Sequence, residues 1–278
     1  MSVTAADVKK LRETTGAGMM DCKKALSESD NDFDKAIEIL RKKGQKVAAK
    51  RQDREASEGF AVARSSSDNK LGVLVAVNCE TDFVAKNDEF KGFAKNIAEV
   101  AVENNISSVE ELQSCSYPDE NIEIKEKLAD LVGKIGEKIV IGEVNKIEAE
   151  TVVPYEHPGN RLAALVGLNK SGDEVYEVGK DIAMQIAAMN PVSLDENDVP
   201  QDIIDRELEV GKDQARQEGK PEDIVDKIAQ GKLKKFYKEN TLLNQAFIKD
   251  NKQAVRDYLQ SHDKELTVTE FKRYSLDQ

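Results

Sequence analysis

Three cysteines, two histidines and a large store of carboxylates are the groups in this sequence that could ligate a metal or attack a substrate. Their spacing argues against both. Cys22, Cys79 and Cys115 lie far apart with no Cys-x-x-Cys pair, and His157 and His262 stand alone, so a structural zinc site is excluded. The cysteines read instead as small, largely buried residues of a reducing compartment. "GAG" at Gly16–Gly18 and "VGKIGEK" at Val132–Lys138 lack the spacing and the Ser/Thr of a phosphate-binding loop. No Gly-x-Ser-x-Gly elbow and no His-Glu-x-x-His helix occurs. The 53 acidic residues are scattered and suit solvated faces. The expectation is a binding protein, not an enzyme, with no catalytic residues, no cofactor and no metal.

One stretch remains conspicuous. "NCETDFVAKN", Asn78 to Asn87, follows "GVLVAV", which reads as a buried strand. The chain has no Trp and only 5% aromatic residues, yet Phe83 stands in a polar loop beside Thr81, Asp82 and Lys86. Loops on rigid scaffolds carry function.

The elements that must position this loop can be read from periodicity. The expected class is α+β. Residues 1–55 form an N-terminal domain of three short helices with a linker. Thr4 caps the first helix and Asp7 lies in its first turn. "MMDCKKALSES" is the second helix. "FDKAIEILRKK" is the third, with Phe33, Ala36, Ile37 and Leu40 on one face and Gly44 at its end. Residues 45 to about 57 read as a charged linker, and so small a unit reads as a tethered recognition module.

Residues 56–142 form a first core subdomain. It opens with a hairpin, "GFAVARSSSDNKLGVLVAVN", continues with a long helix over Asp88–Asn105, and adds further helices and a strand in "KIVIGEVNKIEAE". Residues 143–278 form a second. "LVAVN" (Leu74–Asn78) is echoed by "LVGLN" (Leu165–Asn169), and "KNIAEVA" (Lys95–Ala101) by "KDIAMQIA" (Lys180–Ala187). Asn78 to Lys95 spans 17 residues and Asn169 to Lys180 spans 11, so the first copy carries six extra, around "TDFVAKN". The second copy is interrupted at about 200–238 by an antiparallel helical hairpin. Ile203, Ile204, Leu208 and Val210 face Ile224, Val225, Ile228, Leu233 and Phe236 across a narrow seam. Such an arm suits a partner or dimer contact. "NKQAVRDYLQSH" reads as a helix and "TVTEFKRYSL" as a closing strand.

Net charge is −12, unevenly placed: residues 1–56 carry 13 Lys/Arg against 10 Asp/Glu, or +3, leaving −15 for the rest. An acidic body argues against nucleic-acid binding. Only "RKKGQKVAAKRQDR" (Arg41–Arg54) suits it, and that stretch reads more readily as a solvated helix end plus linker. No run of 18 apolar residues offers a membrane span, and "MSVTAADVKKL" lacks the apolar core of a signal peptide. A cytoplasmic protein is expected.

"LRETTGAGMMDCKKAL" followed by "NCETDFVAKN" and "HPGNRLAALVGLN" resembles the bacterial elongation factor Ts family over nearly the whole chain. The resemblance implies a UBA-like N-terminal domain, two related core subdomains and an inserted coiled-coil hairpin. It implies a guanine-nucleotide exchange factor for elongation factor Tu, meeting that partner in its GDP-bound and nucleotide-free forms without itself binding nucleotide. The family's Thr-Asp-Phe-Val tip, which dislocates the partner's magnesium site, falls on Thr81, Asp82, Phe83 and Val84. Other partner contacts fall on Arg12, Met19, Met20, Lys23 and His157. Met19 and Met20 also suit packing within the bundle, and His157 suits a turn before Pro158. Pro158 is added relative to the family's His-Gly-x-Arg segment, and many members continue past the last strand where this chain reads "FKRYSLDQ". The alternatives are a UBA-like adaptor, or an RNA-associated translation factor without exchange activity.

Overall fold

The computed structural model describes residues 3–51 and 53–277. Helix α1 (Ala5–Thr15) starts at a reciprocal cap in which Thr4 and Asp7 bond each other's backbone N–H, and it stops at Gly16, whose φ of 66° is left-handed. Helices α2 (Met19–Glu28) and α3 (Phe33–Lys50) complete a bundle around Leu11, Cys22, Leu26 and Ala36. Asp32 caps α3.

Gly44 does not end α3. The helix runs through it to Lys50, so most of the expected linker is helix. The reason is a partner distant in sequence. Gly44 lies directly on Gly133 and Ala129 of α7 (Ile124–Ile135), and a Cβ at Gly44 would sit 2.8 Å from the Ala129 carbonyl oxygen. Two glycines let the helix backbones touch, and the bundle is docked on the core instead of tethered to it.

The core is built of two similar units. In the first, β1 (Glu58–Ser65), β2 (Leu71–Cys79) and β3 (Ile139–Glu148) form an antiparallel sheet with β2 central. β2 leads through α4 (Asp82–Ala85) to α5 (Asp88–Glu103), and α6 (Val109–Gln113) and α7 complete the unit. β3 pairs with β2 along its length, so a division after residue 142 falls inside a strand of the first sheet. In the second unit, β4 (Thr151–Glu156), β5 (Leu162–Leu168) and β8 (Val268–Ser275) repeat the arrangement with β5 central, and α8 (Asp173–Met189) takes the place of α5.

The two sheets lie face to face, with α5 and α8 on the outside. Alternation along β2 explains this. Val73, Val75 and Val77 face α5, while Leu74 faces the other sheet with Ala61, Ala63, Ile147, Val152, Ala163 and Leu165. Both faces of the central strands are therefore apolar. The seam combines Ala61, Ala63 and Ala163 with the larger Leu74, Ile147, Val152 and Leu165 and is pinned at its margins. Asn78 donates to the Tyr274 hydroxyl at 2.8 Å, Arg64 pairs with Glu156, and Arg161 pairs with Glu58.

After α8 and a 3-10 turn at Glu196–Asp198, α9 (Gln201–Gln217) and α10 (Glu222–Asn240) form the expected helical hairpin. Its seam uses smaller residues than the apolar spacing suggests. Gly211 and Ala215 meet Val225, Ala229 and Leu233, whereas Val210 and Ile224 are exposed. The arm's base is fixed by Asp195, which accepts from Arg256 at 2.6 Å and Asn244 at 2.7 Å, and by the fully buried pair Gln185 and Gln245. Next come β6 (Ala246–Phe247), β7 (Asp250–Ala254) and α11 (Val255–His262). The helix expected in "NKQAVRDYLQSH" thus begins later, because Asp250–Ala254 pairs with β6.

The Gly44 contact sets two effects against each other. Alanine gains about 1 kcal/mol of helix propensity over glycine, but forcing two backbones apart costs about 1–3 kcal/mol. Gly44→Ala is expected to lower the urea midpoint; a raised midpoint would show that the crossing is loose.

Candidate partner-binding site

The extra residues of the first unit lie wholly between strand and helix. α5 begins seven residues before Lys95 and α8 seven before Lys180, so the two helices start in register. The added length forms α4, one turn of helix where the sequence suggested a loop. Thr81 caps it, accepting from the Val84 N–H, and Asn87 closes it by capping α5, accepting from the Glu89 N–H at 2.8 Å.

In a helix, successive side chains are about 100° apart. Val84 therefore turns inward and is 7% exposed within the core, while Phe83 turns outward and is 82% exposed. The two apolar residues of the tip have opposite placements: one anchors it and the other is presented. Asp82 bonds Lys86 at 2.7 Å, and this charge-assisted bond holds its carboxyl below the usual range. Thr81, not Asp82, carries the bonds that orient the turn.

The tip stands on two carboxylates that cross over. Glu137 accepts from the Thr81 N–H at 3.1 Å and from its hydroxyl at 2.9 Å. Glu80 accepts in return from the Lys138 N–H at 2.6 Å. Glu80 also receives Arg51 at 2.8 Å and Arg54 at 2.9 Å, and its side chain is only 16% exposed. The Lys138 N–H, followed by Arg54 and Arg51, holds the Glu80 carboxyl down at about 2 against the opposing effect of burial. Beneath the turn, burial pushes the Cys79 thiol up to about 12, and its S–H donates to the Thr81 carbonyl. That thiol is inert.

Sequence reasoning missed Glu80, Glu137, Arg51 and Arg54. Glu80 was visible inside "NCETDFVAKN". The two arginines were visible only as part of the basic run, which the structure shows to be largely ion-paired. Arg41 meets Asp130, Lys42 meets Glu38, Lys43 meets Asp21, and Arg51 and Arg54 meet Glu80.

The remaining expected residues lie on two other surfaces. Met19 (60%) and Met20 (73%) are exposed on the first turn of α2, so they do not fill the bundle. Lys23 is exposed on the same helix, and Arg12 on the last turn of α1. His157 is exposed in the β4–β5 turn, its Nδ1 3.0 Å from the Tyr155 hydroxyl. That turn is bound to the first sheet. Asn160 brackets the Ala61 backbone, and Arg161 pairs with Glu58, which is opposite Cys79 at the root of the tip. Among the described residues, no three acidic, His or Cys side chains gather as metal ligands would. No described helix is long and apolar enough to cross a membrane.

A depressed carboxyl contributes stability that is full above its ordinary value of 4.5 and is lost as pH falls towards about 2. The stability advantage of the wild type over Glu80→Gln is therefore expected to be constant above about pH 5 and to shrink below 4.5. Urea midpoints measured at a series of pH values check this; a pH-independent difference contradicts it.

Comparison with known proteins bears on the whole chain. The family model described as Elongation factor TS matches residues 80–278. Elongation factor Ts of Christiangramia forsetii is 56% identical over 274 residues, covering 99% of this chain and 98% of that protein. Those of Flavobacterium psychrophilum and Amoebophilus asiaticus are 50% and 48% identical, with 98–99% of each chain covered. With relatives this similar over nearly their full length, the chain belongs to the elongation factor Ts family.

Proposed function

We propose that this chain is a guanine-nucleotide exchange factor for elongation factor Tu. It binds the GDP-bound partner, promotes release of GDP and leaves the site free for GTP. In this reading the three-helix bundle is a UBA-like recognition domain and the helical hairpin is a coiled-coil arm. The core is two copies of one subdomain, and the chain works in the cytoplasm. Thr81, Asp82, Phe83 and Val84 form the tip that dislocates the partner's magnesium site and phosphate loop. Arg12, Met19, Met20, Lys23 and His157 supply further contacts. The single observation that carries the reading is Phe83, an aromatic ring held almost fully in solvent on a turn braced from beneath.

The mechanism requires no contact with nucleotide. GDP is held by backbone N–H groups and by a magnesium ion bridging its phosphates. A factor that binds the empty partner better than the loaded one lowers nucleotide affinity by the same factor. Burying a Phe side chain contributes about 1.5–3 kcal/mol. If this is realised only when the magnesium ligands have moved, the coupling is roughly 10- to 150-fold. The paired state of the basic segment weighs against the RNA-associated alternative, because cations already matched to carboxylates release fewer counterions on binding phosphate.

Phe83→Ala is expected to slow release of labelled GDP from elongation factor Tu by roughly 10-fold or more. Its thermal midpoint should be unchanged, since the ring touches no core. Wild-type release rates in a folded Phe83→Ala protein would end the wedge reading. Replacing residues 202–238 by a short linker should leave the core folded, because the anchors at Asp195 and Gln245 lie outside the deletion. The same deletion should turn a dimer into a monomer by sedimentation-equilibrium mass if the arm mediates dimerisation; global unfolding would make the arm part of the core.

A further inference from the structure

The N-terminal bundle and the tip are separate surfaces, yet both are read above as meeting one partner. Their relative orientation therefore matters. On one side α3 packs on α7: Gly44 and Gly133 meet backbone to backbone, Val47 and Ala48 pack against the first unit's core, and Arg41 pairs with Asp130. On the other, a cleft of about 370 Å³ remains between the α1–α2 turn and the first core unit, lined by Gly16, Asp21, Arg41, Phe93, Asp130 and Lys134. Contacts outside the helix crossing add to the hold on the bundle.

The strongest of these lies at the C-terminal end of α3. Arg51 and Arg54 both reach Glu80, whose other bond is to the Lys138 N–H, next to the Glu137 that holds Thr81. Lys138 closes the loop by donating to the Arg54 carbonyl at 2.7 Å. The end of the bundle's longest helix, the root of the tip and the start of β3 are thus joined through one carboxylate. Arg51 and Glu80 are 23% and 16% exposed, so the pair is screened far less than a surface ion pair.

We propose that Glu80, Arg51 and Arg54 are positioning residues that lock the bundle to the tip, so that the α2 surface and Phe83 are presented to one partner as a rigid pair. The inference rests on the exchange reading. Fixed presentation of two contacts raises apparent affinity without adding a contact, because the second binding event is intramolecular and already oriented. Loosening the lock should weaken binding while leaving the assembled complex competent.

The test uses the full chain and an Arg51→Met/Arg54→Met variant. GDP release from elongation factor Tu is followed as the factor concentration is raised. The factor concentration for half-maximal release should rise on the order of 10-fold, short of the roughly 100-fold or more expected if one contact were lost altogether. The rate at saturation should stay within about twofold of wild type. A second readout is independent of activity. Spin labels on Lys24→Cys and Asp88→Cys, with Cys115→Ser, report the bundle-to-tip distance, and their distribution should broaden in the variant. An unchanged half-saturation and an unchanged distribution overturn the proposal. A loss of saturated rate with an unchanged distribution also overturns it, and would make the arginines direct partner contacts. If the wild type itself does not accelerate release, the exchange reading falls, and the distance distribution alone decides the lock.

Discussion

Two carboxylates bonded across a gap, each to the backbone of the segment bearing the other, set the geometry on which the exposed tip depends. A one-turn helix has too few internal bonds to hold its shape. Thr81 supplies a cap, but Thr81 is itself held by Glu137, and the loop of Glu137 is held by Glu80. Val84 adds an apolar anchor beneath. The result is a large ring kept in water by polar bonds on one side and core packing on the other. Without that brace the ring would fold back onto the nearest apolar surface, the favourable course for an aromatic side chain.

The same economy appears in the duplicated core. Both units use a central strand apolar on both faces, a covering helix and an antiparallel third strand. Only the segment between strand and helix differs. Because α5 and α8 keep the same start relative to their shared sequence, the addition disturbs nothing behind it. It projects from the unit and returns only Val84 and the half-buried Ala85 to that unit's core.

Much of this was legible in the sequence because it is local. The Thr4 cap, the hairpin turn and the helical faces all rest on residues a few positions apart, and the repeat shows because its two copies keep the same local pattern. The unit of extra length around "TDFVAKN" emerged from comparing the chain with itself. What failed to show was decided at a distance. Gly44 looked like a helix end because glycine usually is one, and only Gly133 explains it. Glu80 and Glu137 are 57 positions apart, and nothing in either neighbourhood announces the exchange of bonds. Val84 is adjacent to Phe83 and equally apolar, so its opposite role appears only once the turn is known to be helical. Val210 and Ile224, expected at the seam of the arm, are exposed, and the residues that do meet there, Gly211 and Ala229, carry too little hydropathy to stand out.

The plane between the two sheets is apolar throughout, with Ala61, Ala63 and Ala163 set among Leu74, Ile147, Val152 and Leu165. Polar pins cross it at the margins: Asn78 on Tyr274, Arg64 on Glu156, Arg161 on Glu58. Glu58 is opposite Cys79 in the strand pair, and Arg161 ends the turn that carries His157. Because these pins tie the root of the tip to the turn that carries His157, the spacing between those two surfaces is set by both units jointly and by neither alone.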